Sequence, residues 1–234
     1  MIEKPSLPQK SDFDHVTEWV FDLDNTLYPH HVDLFAQIDK NMTAYVSELL
    51  QVEPAEAKRI QKQYYHEHGT TLQGLILHHK ADPTAFLNAA HAIDYTVVPE
   101  NAELGEAIKA LPGRKFIFTN GTVAHAEDTA RRLGILDHFD DIFDIVAADY
   151  VPKPAGETYN KFMGLHRVET KNAVMFEDLP RNLQVPKTLG MKTVLLVPQD
   201  MTGTVMERWE KVSADDHHID YVSDDLTRFL QALL

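Results

Sequence analysis

The sequence predicts an α/β fold, with a parallel sheet covered by helices on both faces and a helical subdomain inserted after the first strand. Two observations predict it. Five short apolar runs alternate with amphipathic stretches, the pattern of strands buried on both faces. Between the first run and the second lies a stretch of about 70 residues with helical periodicity and no strand signal, too long for a loop.

The first run, EWVF, ends at Asp22. In the insert that follows, Leu34, Ile38, Tyr45, Val46 and Leu49 keep helical spacing, and Pro54 opens a second helix through EAKRIQKQYYHEH. Further helical pieces are expected after Thr71 and Pro83. The second run, KFIF, precedes Thr119, and TVAHAEDTARRLG after it reads as a helix closing on Gly134. The third run is IFDIV at 142–146 and the fourth is AVMF before Glu177. PRNLQVPKTLG at 180–190 reads as another helix, which Pro186 should kink or shorten. The fifth run is TVLLV at 193–197, and HHIDYVSDDLTRFLQALL reads as a strand and a closing helix. The expected organisation is an N-terminal tail at 1–17, a sheet core built from 18–29 and 101–234, and the helical insert at 30–100.

Composition narrows the function. The net charge is −14, and no basic cluster marks a nucleic-acid surface. No apolar run approaches the ~20 residues of a membrane helix, and MIEKPSLPQKSDFD lacks the apolar stretch of a signal peptide. The chain has no cysteine, which removes disulfides, thiolate zinc sites and a cysteine nucleophile, and fits a cytoplasmic location. A phosphorylated substrate would be repelled at long range by this charge, so a local cation must overcome the field.

Ligands of open parallel sheets bind beyond the carboxyl ends of the strands. The polar residues found there are Asp22 and Asp24 after the first run, Thr119, Asn120 and Gly121 after the second, Lys153 beyond the third, and Glu177 and Asp178 after the fourth. Two aspartates at i and i+2 leave a strand on the same side, and with Asp178 they make an all-oxygen site suited to magnesium. One carboxylate can attack phosphorus while the other handles protons. Thr119, Asn120 and Gly121 precede a helix whose positive end favours an anion, and Lys153 would add a point charge. Each piece alone has a plainer reading: a solvated acidic turn, a helix cap, an acidic helix start. The ordered combination is what carries the chemistry.

These motifs together resemble the haloacid dehalogenase-like (HAD) hydrolases: FDLDNTLYP the first motif, FTNG the second, PKP the third and FEDLPRN the fourth. The resemblance runs from about Trp19 to Val197 and implies a Rossmann-like core with a helical cap that closes over the site. It implies Asp22 as nucleophile, Asp24 as general acid and base, Thr119 and Asn120 on the phosphoryl group, and Lys153 stabilising it. Magnesium would be held by the Asp22 side chain, the Asp24 backbone carbonyl and Asp178, with Glu177 just outside. The family's dehalogenases lack an acid at the Asp24 place, so Asp24 argues for phosphate esters. Within the family, YYHEHGTTLQGL, HHKADPTAFLNAAHAIDY and FTNGTVAHAEDTARRLGI resemble the pyrimidine 5′-nucleotidase type, implying nucleoside monophosphates such as UMP or CMP as substrates. Tyr65, Thr70 and Thr71 would then face the substrate from the cap, although Tyr64 and Tyr65 fit cap core equally well. Leu179, where a small hydroxyl residue is usual, and Pro186, where alanine is common, depart from the pattern.

The thirteen histidines show no i, i+4 zinc spacing, so His30–His31, His66, His68, His78–His79 and His217–His218 are expected at the surface or in the core. Trp19 and Trp209 are expected to pack. No G-x-G-x-x-G or G-x-x-x-x-G-K occurs, which disfavours dinucleotide and Walker-type sites. The alternatives left open are another small-molecule phosphatase, a sugar-phosphate mutase, and a signalling module phosphorylated on aspartate. Oligomeric state is not legible.

Overall fold

Strands buried in a parallel sheet need apolar side chains on both faces, and the alternation along each run supplies them. In the computed structural model, which describes residues 8–198 and 217–234, six strands form one parallel sheet. They are β1 (Glu18–Phe21), β2 (Arg114–Phe118), β3 (Asp141–Phe143), β4 (Ala173–Glu177), β5 (Lys192–Leu196) and β6 (Tyr221–Ser223), in the order β3-β2-β1-β4-β5-β6. Trp19, Phe21, Ile117, Val174 and Phe176 pack on one face. Val20, Phe116, Phe118, Met175 and Leu195 pack on the other. Phe13 and Val16, ahead of the boundary expected at residue 18, are buried in the first of these clusters. This is the Rossmann-like architecture of the sequence reading, and its order reverses at β1, between β2 and β4.

Four helices make up the insert after β1: α1 (Leu34–Leu50), α2 (Pro54–His68), α3 (Thr71–His79) and α4 (Pro83–Ala90). Proline opens α2 and α4, while the side chains of Thr70 and Asp82 cap α3 and α4. Their inward faces share a separate apolar cluster of Ile38, Val46, Leu72, Leu75, Phe86 and Leu87, which Ile145 joins from the sheet side. The core helices are α5 (Ala102–Ala110), α6 (Val123–Leu133), α7 (Gly156–His166), α8 (Gln184–Thr188) and α9 (Leu226–Gln231). No helix among the described residues is long and apolar enough to cross a membrane.

One expectation is corrected, one is met in shortened form, and two helices are added. The third run stops as a strand at Phe143, because Asp144 turns the chain by accepting from the N–H groups of Val123 (3.0 Å) and Ala147 (2.8 Å). The stretch at 180–190 divides into a 3₁₀ turn (Pro180–Leu183) and the five-residue α8, in keeping with Pro186. Helices α5 and α7 had no counterpart in the sequence reading. Trp209 lies outside the described residues; Trp19 is buried and donates to the Pro112 carbonyl (2.7 Å).

Candidate active site

Register brings the strand ends level. Phe21 of β1 sits opposite Ile117 of β2 and Phe176 of β4, so the residues that follow emerge side by side at the carboxyl edge. The Asp22 N–H still donates to Phe176 O (2.9 Å), and the Thr119 N–H donates to Phe143 O (3.0 Å). Both side chains therefore start from fixed backbone.

Lys153 is the hub. It arrives from the loop after β3, with a cis bond to Pro154, and is 1% exposed. Its Nζ donates to Asp22 Oδ1 (2.7 Å), Glu177 Oε1 (2.8 Å) and Phe118 O (2.8 Å). The Asn120 side chain holds the Lys153 backbone, its Oδ1 accepting from Lys153 N (2.9 Å). Asn120 therefore spends its amide on positioning Lys153, and what it can offer an anion is its main chain. Thr119, also buried, accepts from Gly121 N (2.9 Å), and Thr122 caps α6, whose N-terminus opens beside the loop.

The acids sit in different surroundings. Burial, partly offset by Lys153, pushes the Asp22 carboxyl up to about 7. Asp24 is half-buried, yet it is held below the usual range, because His125 and Tyr28 outweigh the desolvation. Tyr28 OH donates to Asp24 Oδ1 (2.5 Å), and His125 Nε2 lies 3.0 Å from the same oxygen. Asp178 is pushed well above the ordinary range by burial and then by Glu177 and Asp22. Its neighbours Asn25 (3.3 Å) and His30 (3.7 Å) do little to relieve it. Burial lowers His30 to about 4, so near neutral pH it brings no charge. Asn25 reaches Asp178 from a left-handed backbone (φ 60°), a conformation asparagine tolerates.

Asp22, Glu177 and Asp178 thus crowd round one ammonium, a surplus of acid that a cation would balance. Asp22, Glu177 and Asp178 carry oxygens within 4.8 Å of one another, a hard all-oxygen donor set that fits a divalent ion such as magnesium. This cluster differs from the expected side-chain set in containing Glu177 and omitting Asp24. The Asp24 carboxylate is turned to Tyr28 and His125. Glu177 is saturated: besides Lys153, its Oε1 accepts from Asn182 Nδ2 (2.6 Å) and its Oε2 from Leu179 N (2.8 Å). It is better placed to organise the site than to bind an ion. The main chain of Leu179 makes this contact whatever its side chain.

Above the acids, a cleft of about 1720 Å³ runs from Asp22 beneath the helical insert, lined by Tyr65, Thr70 and Thr71 among others. The Tyr65 ring lies 4.5 Å from the Arg181 guanidinium. Thr70 Oγ1 accepts from Gln73 N (3.2 Å), and Thr71 Oγ1 donates to Gln61 O (3.2 Å), so both hydroxyls already serve the insert's own structure. Tyr64 packs against Gly74 and His78. The cleft exceeds the ~300–1,000 Å³ of most ligand sites, so its volume alone does not choose a substrate.

Sequence reasoning missed Tyr28, His125, Asn182 and His91. Tyr28, Asn182 and His125 lay inside or beside quoted motifs, but nothing in their spacing pointed at a carboxylate. Of the histidines expected at the surface or in the core, His78 is exposed and His68 half-buried, and the two meet Nε2 to Nε2 at 2.9 Å, from α2 and α3.

Among known proteins, the chain is 26% identical over 218 residues to phosphate metabolism protein 8 of Saccharomyces cerevisiae, covering 85% of this chain and 66% of that protein. It therefore spans just under two thirds of that relative's length. Solved structures with the same fold include a haloacid dehalogenase-like family hydrolase from Streptococcus pneumoniae (TM-score 0.61, 16% identity, 94% of this chain and 99% of that one). The L-2-haloacid dehalogenase of Xanthobacter autotrophicus, with chloropropionic acid covalently bound, has a TM-score of 0.58 at 15% identity, covering 92% and 97%. A HAD phosphatase from Thermococcus onnurineus has a TM-score of 0.57 at 18% identity, covering 93% and 96%. At these identities the likeness to solved structures speaks for the fold. The sequence itself matches the haloacid dehalogenase-like hydrolase family over residues 20–190, most of the chain. With that match and the strand-end site together, the chain belongs to the haloacid dehalogenase-like hydrolases.

Proposed function

We propose that the protein is a magnesium-dependent phosphomonoester hydrolase that carries the phosphoryl group on Asp22, and that its substrates are nucleoside 5′-monophosphates of the UMP and CMP kind. The observation that carries this reading is the division of labour between two carboxylates. Asp22 is fixed by Lys153 at the strand end, while Asp24 is engaged separately by His125 and Tyr28.

In the first step an Asp22 oxygen attacks phosphorus, the bond from phosphorus to the ester oxygen breaks, and Asp24 gives that oxygen a proton. In the second, Asp24 takes a proton from water, the water oxygen attacks phosphorus, and the bond to Asp22 breaks to release inorganic phosphate. His125 and Tyr28 favour the carboxylate form of Asp24, the form the second step needs. For the first step the approaching phosphate dianion raises the proton affinity of Asp24, as any nearby like charge does. Lys153, the Thr119 hydroxyl and the Asn120 N–H oppose the charge on the equatorial oxygens. Magnesium, held by Asp22, the Asp24 carbonyl and Asp178, would keep Asp22 ionised and neutralise phosphoryl charge. The nucleotide preference rests on the segments quoted above, with Tyr65, Thr70 and Thr71 lining the cleft but the two hydroxyls engaged within the insert.

A panel of UMP, CMP, sugar phosphates, p-nitrophenyl phosphate and 2-chloropropionate, assayed with magnesium and with chelator, tests the reading. Inorganic phosphate should be released from UMP or CMP at least about tenfold more efficiently than from sugar phosphates, and chelator should stop it. Chloride release from 2-chloropropionate, or phosphate passed to a second sugar hydroxyl without reaching water, would replace the hydrolase reading. Absence of any turnover would leave the signalling alternative.

Metal binding should also appear without catalysis. Asp22 and Asp178 hold protons well above the ordinary carboxylate range, and a metal ligand must be deprotonated. The rise in melting temperature on adding magnesium should therefore be small near about pH 5 and several degrees near about pH 8. An equal rise at both pH values would contradict it.

A further inference from the structure

The environment of Asp24 contains a group that none of the motifs assigns. His125 sits on the first turn of α6, which Thr122 caps, with its side chain fully enclosed. Its Nε2 is 3.0 Å from Asp24 Oδ1, and its Nδ1 is 3.1 Å from the Tyr95 hydroxyl. An ionised carboxylate can only accept, so Nε2 carries the proton on this contact, while Nδ1 faces the Tyr95 hydroxyl. The imidazole has no room to turn. His91 stacks on it with centroids 4.4 Å apart and planes 5° from parallel. On the loop side, a Cβ added at Gly121 would lie 3.0 Å from His125 Cδ2, so any larger residue there would press on the ring.

We propose that His125 is a positioning residue for Asp24. With Tyr28 it ties down Oδ1 and leaves Oδ2, which takes no hydrogen bond among the described residues, to exchange the proton with the leaving oxygen and with water. The orientation of the ring is set from outside the sheet. His91 follows the last helix of the insert and Tyr95 lies in the 3₁₀ turn beyond it, so the segment joining insert to core holds the ring that holds the acid. This inference rests on reading Asp24 as the proton donor and acceptor.

The test compares two leaving groups. p-Nitrophenolate departs without needing a proton, whereas an alkoxide from a simple alkyl phosphate needs one. Leaving-group release is followed in a single turnover with magnesium-loaded enzyme in excess, for wild type, Asp24→Asn, His125→Phe and His125→Gln. Phenylalanine fills the buried space without an N–H, and glutamine returns one near Nε2, so a folding failure of the first leaves the second to be read. Loss of the N–H should slow the alkyl phosphate by about 10²-fold and p-nitrophenyl phosphate by less than about tenfold, with His125→Gln recovering most of the difference. Equal slowing of both substrates in His125→Phe, or no rescue by His125→Gln, overturns the proposal. If Asp24→Asn itself shows no preference between the leaving groups, the underlying reading of Asp24 fails instead, and the proposal with it.

Discussion

Asp22→Asn should abolish turnover, lowering kcat by at least about 10⁴-fold, while the folded protein survives at no cost in stability. The catalytic half follows from covalent chemistry. An amide is a far weaker nucleophile than a carboxylate, and no other side chain could form the same intermediate from the same place. Asp24 is turned toward Tyr28 and His125, and Asp178 lies at the end of a different strand. The stability half follows from electrostatics. Asp22 is buried and titrates near 7 in the absence of a cation, so the fold disfavours its charge. Asparagine has nearly the same shape and no charge, and Lys153 keeps Glu177 as its counter-ion at 2.8 Å. The melting temperature of the metal-free variant near neutral pH should therefore equal or exceed that of the wild type, the pattern of a site strained for function. Phosphate release and thermal melts on the same preparation check both halves. Turnover within about tenfold of wild type would end the covalent reading.

The site was legible in the sequence where the fold makes position follow from order along the chain. Asp22, Thr119 and Glu177 each directly follow an apolar run, and in a parallel sheet with those runs in register their side chains must meet at one edge. Lys153 was legible in the same way, as the basic residue nearest that edge after the third run. The positioning contacts were not, because they depend on which way a helix faces. Nothing in HAED distinguishes a histidine aimed at Asp24 from one aimed at solvent; that depends on how α6 is rotated against β1 and β2. The Lys153 contact of Asn120 escaped for a related reason, since a loop asparagine can turn to ligand or backbone and here its side chain turns to Lys153. β3 was overestimated because Ile145 looks like a strand residue but is buried among the insert's apolar side chains. α7 escaped because Gly156 and Gly164 dilute its periodicity, while Tyr159 and Phe162 on its inner face supply the burial that holds it.

Lys153→Met should show how much the fold, beyond the reaction, depends on the same cluster. In the native protein the ammonium is enclosed and satisfied three ways, by Asp22, Glu177 and Phe118. Burial would pull its pKa down, but the two carboxylates more than reverse that, so it stays charged. Methionine nearly preserves the volume and removes the charge, leaving two buried carboxylates without a counter-ion. Breaking a buried pair from one side costs about 3–5 kcal/mol, which for a chain of this size lowers the melting temperature by roughly 6–20 °C. The loss should depend on pH. A carboxyl whose folded pKa lies above its unfolded value binds more protons when folded, so stability falls as pH rises from the unfolded value to the folded one. Asp22 already spans 3.8 to about 7 with Lys153 present, and without it the window extends upward. Since the wild type loses the same stability up to about pH 7, the deficit should widen only above about pH 7, where the fold without Lys153 must still ionise Asp22. Turnover should fall by about 10²–10³-fold, since one donor to the transferring phosphoryl group is gone. Lys153→Arg separates charge from shape: it keeps the cation, but its planar fork cannot direct three bonds from a single nitrogen. It should restore part of the stability at high pH and little of the rate. A Lys153→Met protein as stable as wild type at about pH 8 would mean that the carboxylates are relieved by another group, and that Lys153 is not the centre of this site.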